Sequence, residues 1–298
     1  MKKNKDEIQY TSLQKKAMHL RLQSLSLSQG LKQGSFQSLY KSQGIEFSGV
    51  REYLPGDDIR SIDWNVTARM GRTFVKTYEE ERDLHVFIIL DASLSMATGA
   101  NGLSRLEKAK EVASLLSFAC EHISSPLGAV IFGASILFSC GQKSGKEHTM
   151  YLLSKISKTG LDDTRGSALT NALRGAANLL KRRSLVFVIS DFRVGDYEGD
   201  LSRLALKHDL VAIRLSDESD FHFPSMGSVP FVDPESLERQ DFPLSSASFK
   251  KAWRDYGMAH IELWRQMCKK RGVKTIEMSL QDDSLLVLER FFSVVRKK

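Results

Sequence analysis

The chain predicts an α/β fold: a doubly wound, mostly parallel sheet with helices on both faces, preceded by a small β-containing module. Three observations predict it. From residue 84 onward, short apolar runs alternate with segments of helical periodicity, the pattern of a parallel sheet whose crossovers are helices. Two of the runs, 86–90 (V-F-I-I-L) and 185–189 (L-V-F-V-I), are apolar at every position, as strands covered on both faces are. Each of these runs ends on polar loop residues, where open α/β sheets gather their ligands.

Taken in order, residues 1–45 are polar and rich in Ser, Gln and Lys. Leu13, Ala17, Leu20 and Leu27 fall at helical spacing, interrupted by Ser24, and predict one amphipathic helix followed by a loop over 28–44. Residues 46–83 form a second region, dense in charge. Pro55-Gly56 predicts a tight turn, because Pro presets φ and Gly accepts a positive φ. Residues 73–79 read as a strand.

The third region, 84–298, begins with a strand over 84–90. A helix is predicted over 105–123, with Leu106, Ala109, Val112, Leu116, Ala119 and Ile123 on one stripe and S-R-L-E at 104–107 as a capping box. Strands over 127–132 and 135–139 follow, then helices over 147–158 and 168–181, a strand over 185–190, a helix over 201–207 and a strand over 210–215. An irregular stretch, 216–246, holds a hairpin around 229–233. A long helix over 249–270, a strand over 274–280 and a helix over 285–296 complete the pattern. The stripe Phe249, Trp253, Tyr256, Trp264 and Met267 is expected to face the core.

Composition narrows the function classes. The 298 residues are 42% hydrophobic and 27% charged, so the chain is globular. Its apolar runs are far shorter than the roughly 18 residues of a membrane span, and no apolar segment follows the basic start 1–7, so no signal peptide and a cytoplasmic location are expected. Cys120, Cys140 and Cys268 form no C-x-x-C pair, which argues against a disulfide framework or a zinc site. The net charge of +7 invites a nucleic-acid reading. The basic clusters at 181–183, 269–271 and 296–298, however, each close a helical segment, where cations complement the helix dipole. No nucleic acid is therefore expected, and the same placement predicts an acidic end at the polar loops and a basic opposite edge.

Three polar loops carry the chemistry. D-A-S-L-S at 91–95 follows the first apolar strand, with Ser93 and Ser95 alternating toward one point. T-R-G-S at 164–167 precedes a helix, and Ser190-Asp191 ends the second apolar strand. Such residues also make ordinary turns and caps. Taken together they offer two carboxylates and several hydroxyls, an all-oxygen set suited to Mg²⁺, with Mn²⁺ or Ca²⁺ as alternatives.

D-A-S-L-S, with R-G-S-A-L-T-N-A-L and V-F-V-I-S-D downstream, resembles the metal-ion-dependent adhesion site of a von Willebrand factor A domain. The resemblance implies a Rossmann-like sheet and a divalent cation held by Asp91, Ser93, Ser95, Ser167 and Asp191, with Ser167 where that family usually has Thr. It also implies a free coordination position for a partner protein's carboxylate. Upstream, F-S-G-V-R-E-Y-L-P-G-D-D-I-R-S-I-D-W-N-V-T-A-R and T-Y-E-E-E-R resemble the bacterial "domain of unknown function 58" family. That resemblance implies a non-catalytic adaptor working with a MoxR-type AAA+ ATPase on a client protein.

The charged region supports two readings. Arg51, Tyr53, Asp57, Asp58, Arg60, Asp63, Trp64 and Arg69 form either a partner-docking face or an internal ion-pair network. A Mg²⁺-dependent phosphohydrolase of haloacid dehalogenase type is the enzymatic alternative, with Asp91 as nucleophile. That chemistry needs a second Asp two residues on, where this chain has Ser93.

Overall fold

A six-stranded sheet, in the order 274–279, 209–216, 185–190, 86–91, 127–132 and 136–143, organises the larger part of the chain. The computed structural model describes residue 20 and residues 24–31, 39–99, 103–162, 164, 166–222, 228–232 and 239–296. Its strands are β3 (Val86–Asp91), β4 (Leu127–Phe132), β5 (Ile136–Lys143), β6 (Leu185–Ser190), β7 (Asp209–Ser216) and β10 (Lys274–Ser279). All neighbours pair in parallel except β4 and β5, which are antiparallel with register shifts. The observed β5 is longer than the strand expected over 135–139.

Helices cover both faces, as a parallel sheet requires. Helices α5 (Leu169–Leu179), α6 (Glu198–Lys207) and α7 (Ala247–Lys270) bury Leu173, Leu204 and Trp264 against Phe87, Ile89, Val186 and Val188. Alternate residues of the same strands face α3 (Arg105–His122), α4 (Lys146–Lys158) and α8 (Ser284–Arg296), where Phe187 meets Phe292 edge to face. Ser104 caps α3 by accepting the Glu107 N–H at 3.2 Å, while the Glu107 carboxylate takes the Lys110 ammonium. The strands β8 (Ser228–Val232) and β9 (Arg239–Pro243) form the expected hairpin.

Two expectations are corrected. Residues 24–31 are helical (α1), with Ser24, Leu27, Ser28 and Leu31 buried, so the helix continues through the start of the expected loop; Leu13 and Ala17 lie outside the described residues. A Cβ on Gly30 would stand 2.8 Å from Phe292 Cβ, so close packing on α8 favours glycine there. The second correction concerns α7. Trp264 and Cys268 are buried, but Tyr256 is 67% exposed. Twenty-four residues make a helix about 36 Å long, whereas six-residue β10 spans about 20 Å. The N-terminal half of α7 therefore overhangs the sheet, and Phe249, Trp253, Tyr256 and His260 stack along the helix itself.

Residues 39–83 form a separate compact unit. Its strands β1 (Leu39–Glu52) and β2 (Phe74–Leu84) pair antiparallel, so the region begins earlier than the expected residue 46. Between them Gly56 has φ +109°, and the Asp57 N–H donates to Leu54 O at 3.0 Å, closing the Pro-Gly turn. A short helix α2 (Trp64–Met70) is N-capped by Asp63 and ended by left-handed Gly71.

Candidate metal centre

The sheet order places a crevice where the sequence expects one. From β3 the chain moves outward to β4 and β5, then returns to build β6, β7 and β10 on the other side. The loop after β3 leads to α3 on one face, and the loop after β6 leads to α6 on the other. The two loops diverge at the carboxyl ends of adjacent strands, the switch point of a doubly wound sheet.

Asp91 is the last residue of β3 and only 2% exposed. Its Oδ1 accepts the Ser93 N–H at 2.9 Å, and its Oδ2 accepts the Ser190 hydroxyl at 2.6 Å. Ser93 and Ser95 stand at the start of a 3-10 turn (Leu94–Ala97), with their Oγ atoms 3.2 Å apart, so both hydroxyls converge as their spacing predicts. Burial, then the charge of Asp191, pushes the Asp91 carboxyl up to about 7, against the opposing hydrogen bonds from Ser190 and Ser93.

Asp191 follows β6 and is 3% exposed. Its Oδ1 accepts the Arg193 N–H at 3.2 Å, while its buried Oδ2 has no hydrogen-bond partner. The next residue, Phe192, has φ +52°, rare for an aromatic side chain. That strain is held by the Phe192 ring, buried against Tyr197 and Trp264, and by its N–H donating to Ser190 Oγ at 2.9 Å. Ser190 thus ties the two loops together.

Ser167 lies on the third loop, whose backbone is tied to the first loop and to the end of β4. The Ala168 N–H donates to Gly133 O just past β4 at 2.7 Å, and the Asp162 N–H donates to Ala92 O at 3.0 Å. Asp162 Oδ2 accepts the Ala134 N–H at 2.9 Å. Ser167 Oγ is buried without a hydrogen-bond partner. Two orphaned buried oxygens, Asp191 Oδ2 and Ser167 Oγ, together with convergent Ser93 and Ser95, fit a hard divalent cation that takes oxygen alone. Among the described residues no three His, Cys, Asp or Glu side chains gather as a metal group, so such a site rests on two carboxylates and hydroxyls.

Sequence reasoning missed the cations beside this site. Arg105, 1% exposed, places Nη1 3.9 Å from Asp191 Oδ2 and 3.1 Å from Ser95 O, and Nη2 2.6 Å from Asp220 Oδ1; it also bonds Thr98. Arg193 Nε lies 4.0 Å from Asp191 Oδ2, and its Nη2 bonds Asp220. Arg214, 5% exposed on β7, holds Nη2 2.9 Å from His260 Nδ1 and stacks on Trp264. Burial, then Arg193, lowers the Arg214 guanidinium, and burial, then Arg214, lowers the His260 imidazole. The expected acidic end is therefore mixed in charge. The opposite clusters are mixed as well, with Arg183 paired to Asp209 at 3.2 Å and Arg271 to Glu198 at 2.7 Å.

Within the 39–83 unit the eight singled-out residues divide by role. Arg51 and Asp57 form a two-bond ion pair at 2.6 and 2.7 Å, and this pairing, with the Leu54 N–H, lowers the Asp57 carboxyl. Asp58 accepts the Arg60 N–H and caps a 3-10 turn (Ile59–Ser61), and Asp63 caps α2. Trp64 is 66% exposed, Arg60 and Arg69 are exposed, and Tyr53 is half-buried. The acids thus shape the backbone, while Trp64, Arg60 and Arg69 face outward.

Among the described residues no helix is long and apolar enough to cross a membrane. The "Uncharacterized protein Rv1480" of Mycobacterium tuberculosis (strain ATCC 25618 / H37Rv) is 28% identical over 240 residues, covering 78% of this chain and 75% of the relative; "Uncharacterized protein Mb1516" of Mycobacterium bovis matches equally. Among solved structures, an aerotolerance-related membrane protein from Bacteroides fragilis is similar at TM-score 0.49 and 19% identity, over 72% of this chain and 100% of that one. The VWA domain of SpRpn10 is similar at TM-score 0.39 and 13% identity, over 69% and 93%. Residues 49–262, spanning most of the charged unit, five of the six sheet strands and much of α7, match the model of the family described as "Protein of unknown function DUF58", and the chain belongs to that family.

Proposed function

We propose that the chain is a non-catalytic protein-binding module whose recognition point is the crevice between the β3 and β6 loops, completed by a divalent cation, Mg²⁺ foremost. The observation that carries this is the convergence of Ser93 and Ser95 beside Asp91 and Asp191, with buried oxygens of Asp191 and, on the third loop, Ser167 that take no hydrogen bond. Asp91, Ser93, Ser95, Ser167 and Asp191 would hold the cation, some through water. A bound cation would offer a Lewis-acid position to a carboxylate on the partner. The chain's own contribution is preorganisation: Ser190 fixes Asp91, and strained Phe192 fixes Asp191.

The partner we propose is a MoxR-type AAA+ ATPase in the cytoplasm, with Trp64, Arg60 and Arg69 as a second contact surface toward the ATPase or its client. A phosphohydrolase gains no support, because Ser93 stands where that chemistry needs a second Asp and lacks its acid function. Titration calorimetry of Mg²⁺ into wild type and Asp91→Ala tests the cation. Heat in wild type and none in the variant supports the reading, and heat in neither, with or without a partner carboxylate such as acetate, refutes it. Pull-down of an AAA+ ATPase that is lost in EDTA tests the partner.

A further inference from the structure

The strand β5 ends the sheet, and among the described residues its outer edge has no strand partner. Exposed edges invite pairing with another chain unless charge, bulges or covering elements prevent it. Lys143 at the end of β5 and the register shift between Ile131 and Phe132 supply part of that protection. Ile136 and Leu137 nevertheless stand 41% and 46% exposed, and Tyr151 on α4 is 49% exposed. Beside them a groove of about 540 Å³ runs between β5 and α4, floored by residues 159–162 and Thr164.

The groove has a definite chemistry. Phe138 and Tyr151 meet edge to face at 5.9 Å, and Lys155 Nζ lies 5.8 and 5.4 Å from their ring centres. Lys155 and Lys158 line one side, both exposed, with no carboxylate within ion-pair distance among the described residues. The acid in the lining, Asp162, is engaged by the Ala134 and Thr164 N–H groups, and those hydrogen bonds, with the Thr164 side chain foremost, lower its carboxyl. The groove is thus about half apolar, with two lysines against one hydrogen-bonded acid, next to an open strand edge.

We propose that the β5–α4 groove docks an extended, acidic and apolar segment of a partner protein, which pairs with the β5 edge, buries alternate side chains over Leu137 and Tyr151, and sets its acids against Lys155 and Lys158. Strand addition draws affinity from backbone hydrogen bonds and specificity from alternate side-chain positions. The proposal does not depend on the cation reading: its floor shares a loop with the metal centre, but Leu137, Tyr151, Lys155 and Lys158 are not among the groups that would hold the cation.

The test uses the full chain, in EDTA, and a fluorescein-labelled octapeptide of alternating valine and phenylalanine flanked by paired aspartates. Its control carries lysines in place of the aspartates. Anisotropy is expected to show binding of the acidic peptide, weakened about tenfold by K155E/K158E and abolished by Leu137→Asp, an exposed position where the fold tolerates the change. Hydrogen exchange is expected to slow at 136–143 when peptide is added. Equal binding of both peptides, an unchanged affinity in K155E/K158E, or no binding would overturn the proposal. So would a concentration-dependent dimer in sedimentation that Leu137→Asp abolishes, which would make a second copy of the chain the occupant.

Discussion

Asp91→Asn is expected to stabilise the cation-free protein, and to do so more as pH rises. The wild-type carboxyl titrates near 7 in the folded chain, raised from an ordinary 3.8 chiefly by burial and then by Asp191. A carboxyl raised by folding binds its proton more tightly when folded, so its stabilising contribution is complete at low pH and drains away as pH rises toward the folded value. Between pH 5 and pH 7 the unfolded group is ionised and the folded one largely is not. Stability then falls by about 1.4 kcal/mol per pH unit at first and about half that at pH 7, where the folded carboxyl is half ionised, or about 2.3 kcal/mol in all. Asn cannot ionise, and it disturbs the Ser190 hydroxyl bond at a cost of about 1 kcal/mol that is independent of pH. The assay is urea unfolding of both proteins by tryptophan fluorescence at pH 5, 6 and 7, in EDTA and then in Mg²⁺. The difference between them should widen by about 2.3 kcal/mol across that range in EDTA and shrink in Mg²⁺, which compensates ionised Asp91. A difference that stays flat with pH would refute the burial reasoning. One that ignores Mg²⁺ would refute the cation.

Three further outcomes are expected. Arg193→Gln should tighten Mg²⁺ about fivefold by calorimetry, since a cation 4.0 Å from Asp191 is removed and its effect is discounted for its partial exposure. Arg105→Met should lower unfolding free energy by about 1 to 3 kcal/mol in denaturant titration, because Asp220 loses its fully buried cation and keeps only part-exposed Arg193. Trp64→Ala should leave stability within about 0.5 kcal/mol yet reduce ATPase capture in pull-down, because the ring is two-thirds exposed.

The sheet and the crevice were legible because their signals are local. Apolar runs at 86–90 and 185–189 mark doubly covered strands, and Asp91 and Asp191 stand at their ends whatever the rest of the chain does. The helix α2 also had local signals that went unread, Asp63 as N-cap and Gly71 as C-terminal stop, within a stretch dominated by charge. The arginine cluster had no local signal. Arg105 meets Asp220 across 115 positions of sequence, and only the strand order brings them together. The α7 stripe misled for a different reason. Periodicity shows which side of a helix is apolar, but not how far the sheet beneath it extends, so Tyr256 reads like Trp264 although it lies beyond the sheet.

The first and third crevice loops are pinned through their backbones, Asp162 to Ala92, and both to the end of β4, Ala92 to Phe132 and Ala168 to Gly133, while the Ser190 hydroxyl ties the β6 loop to Asp91. Folding has therefore already restricted the segments that a partner would meet, and little ordering is left for the encounter. Association at this end of the sheet should resemble the meeting of two preformed surfaces, with backbone positions nearly unchanged between free and bound forms. Partners of different strength would then arrive at similar rates and differ in how long they stay. Under the proposed adaptor role, residence time would decide whether a client is carried through a cycle or released before it begins.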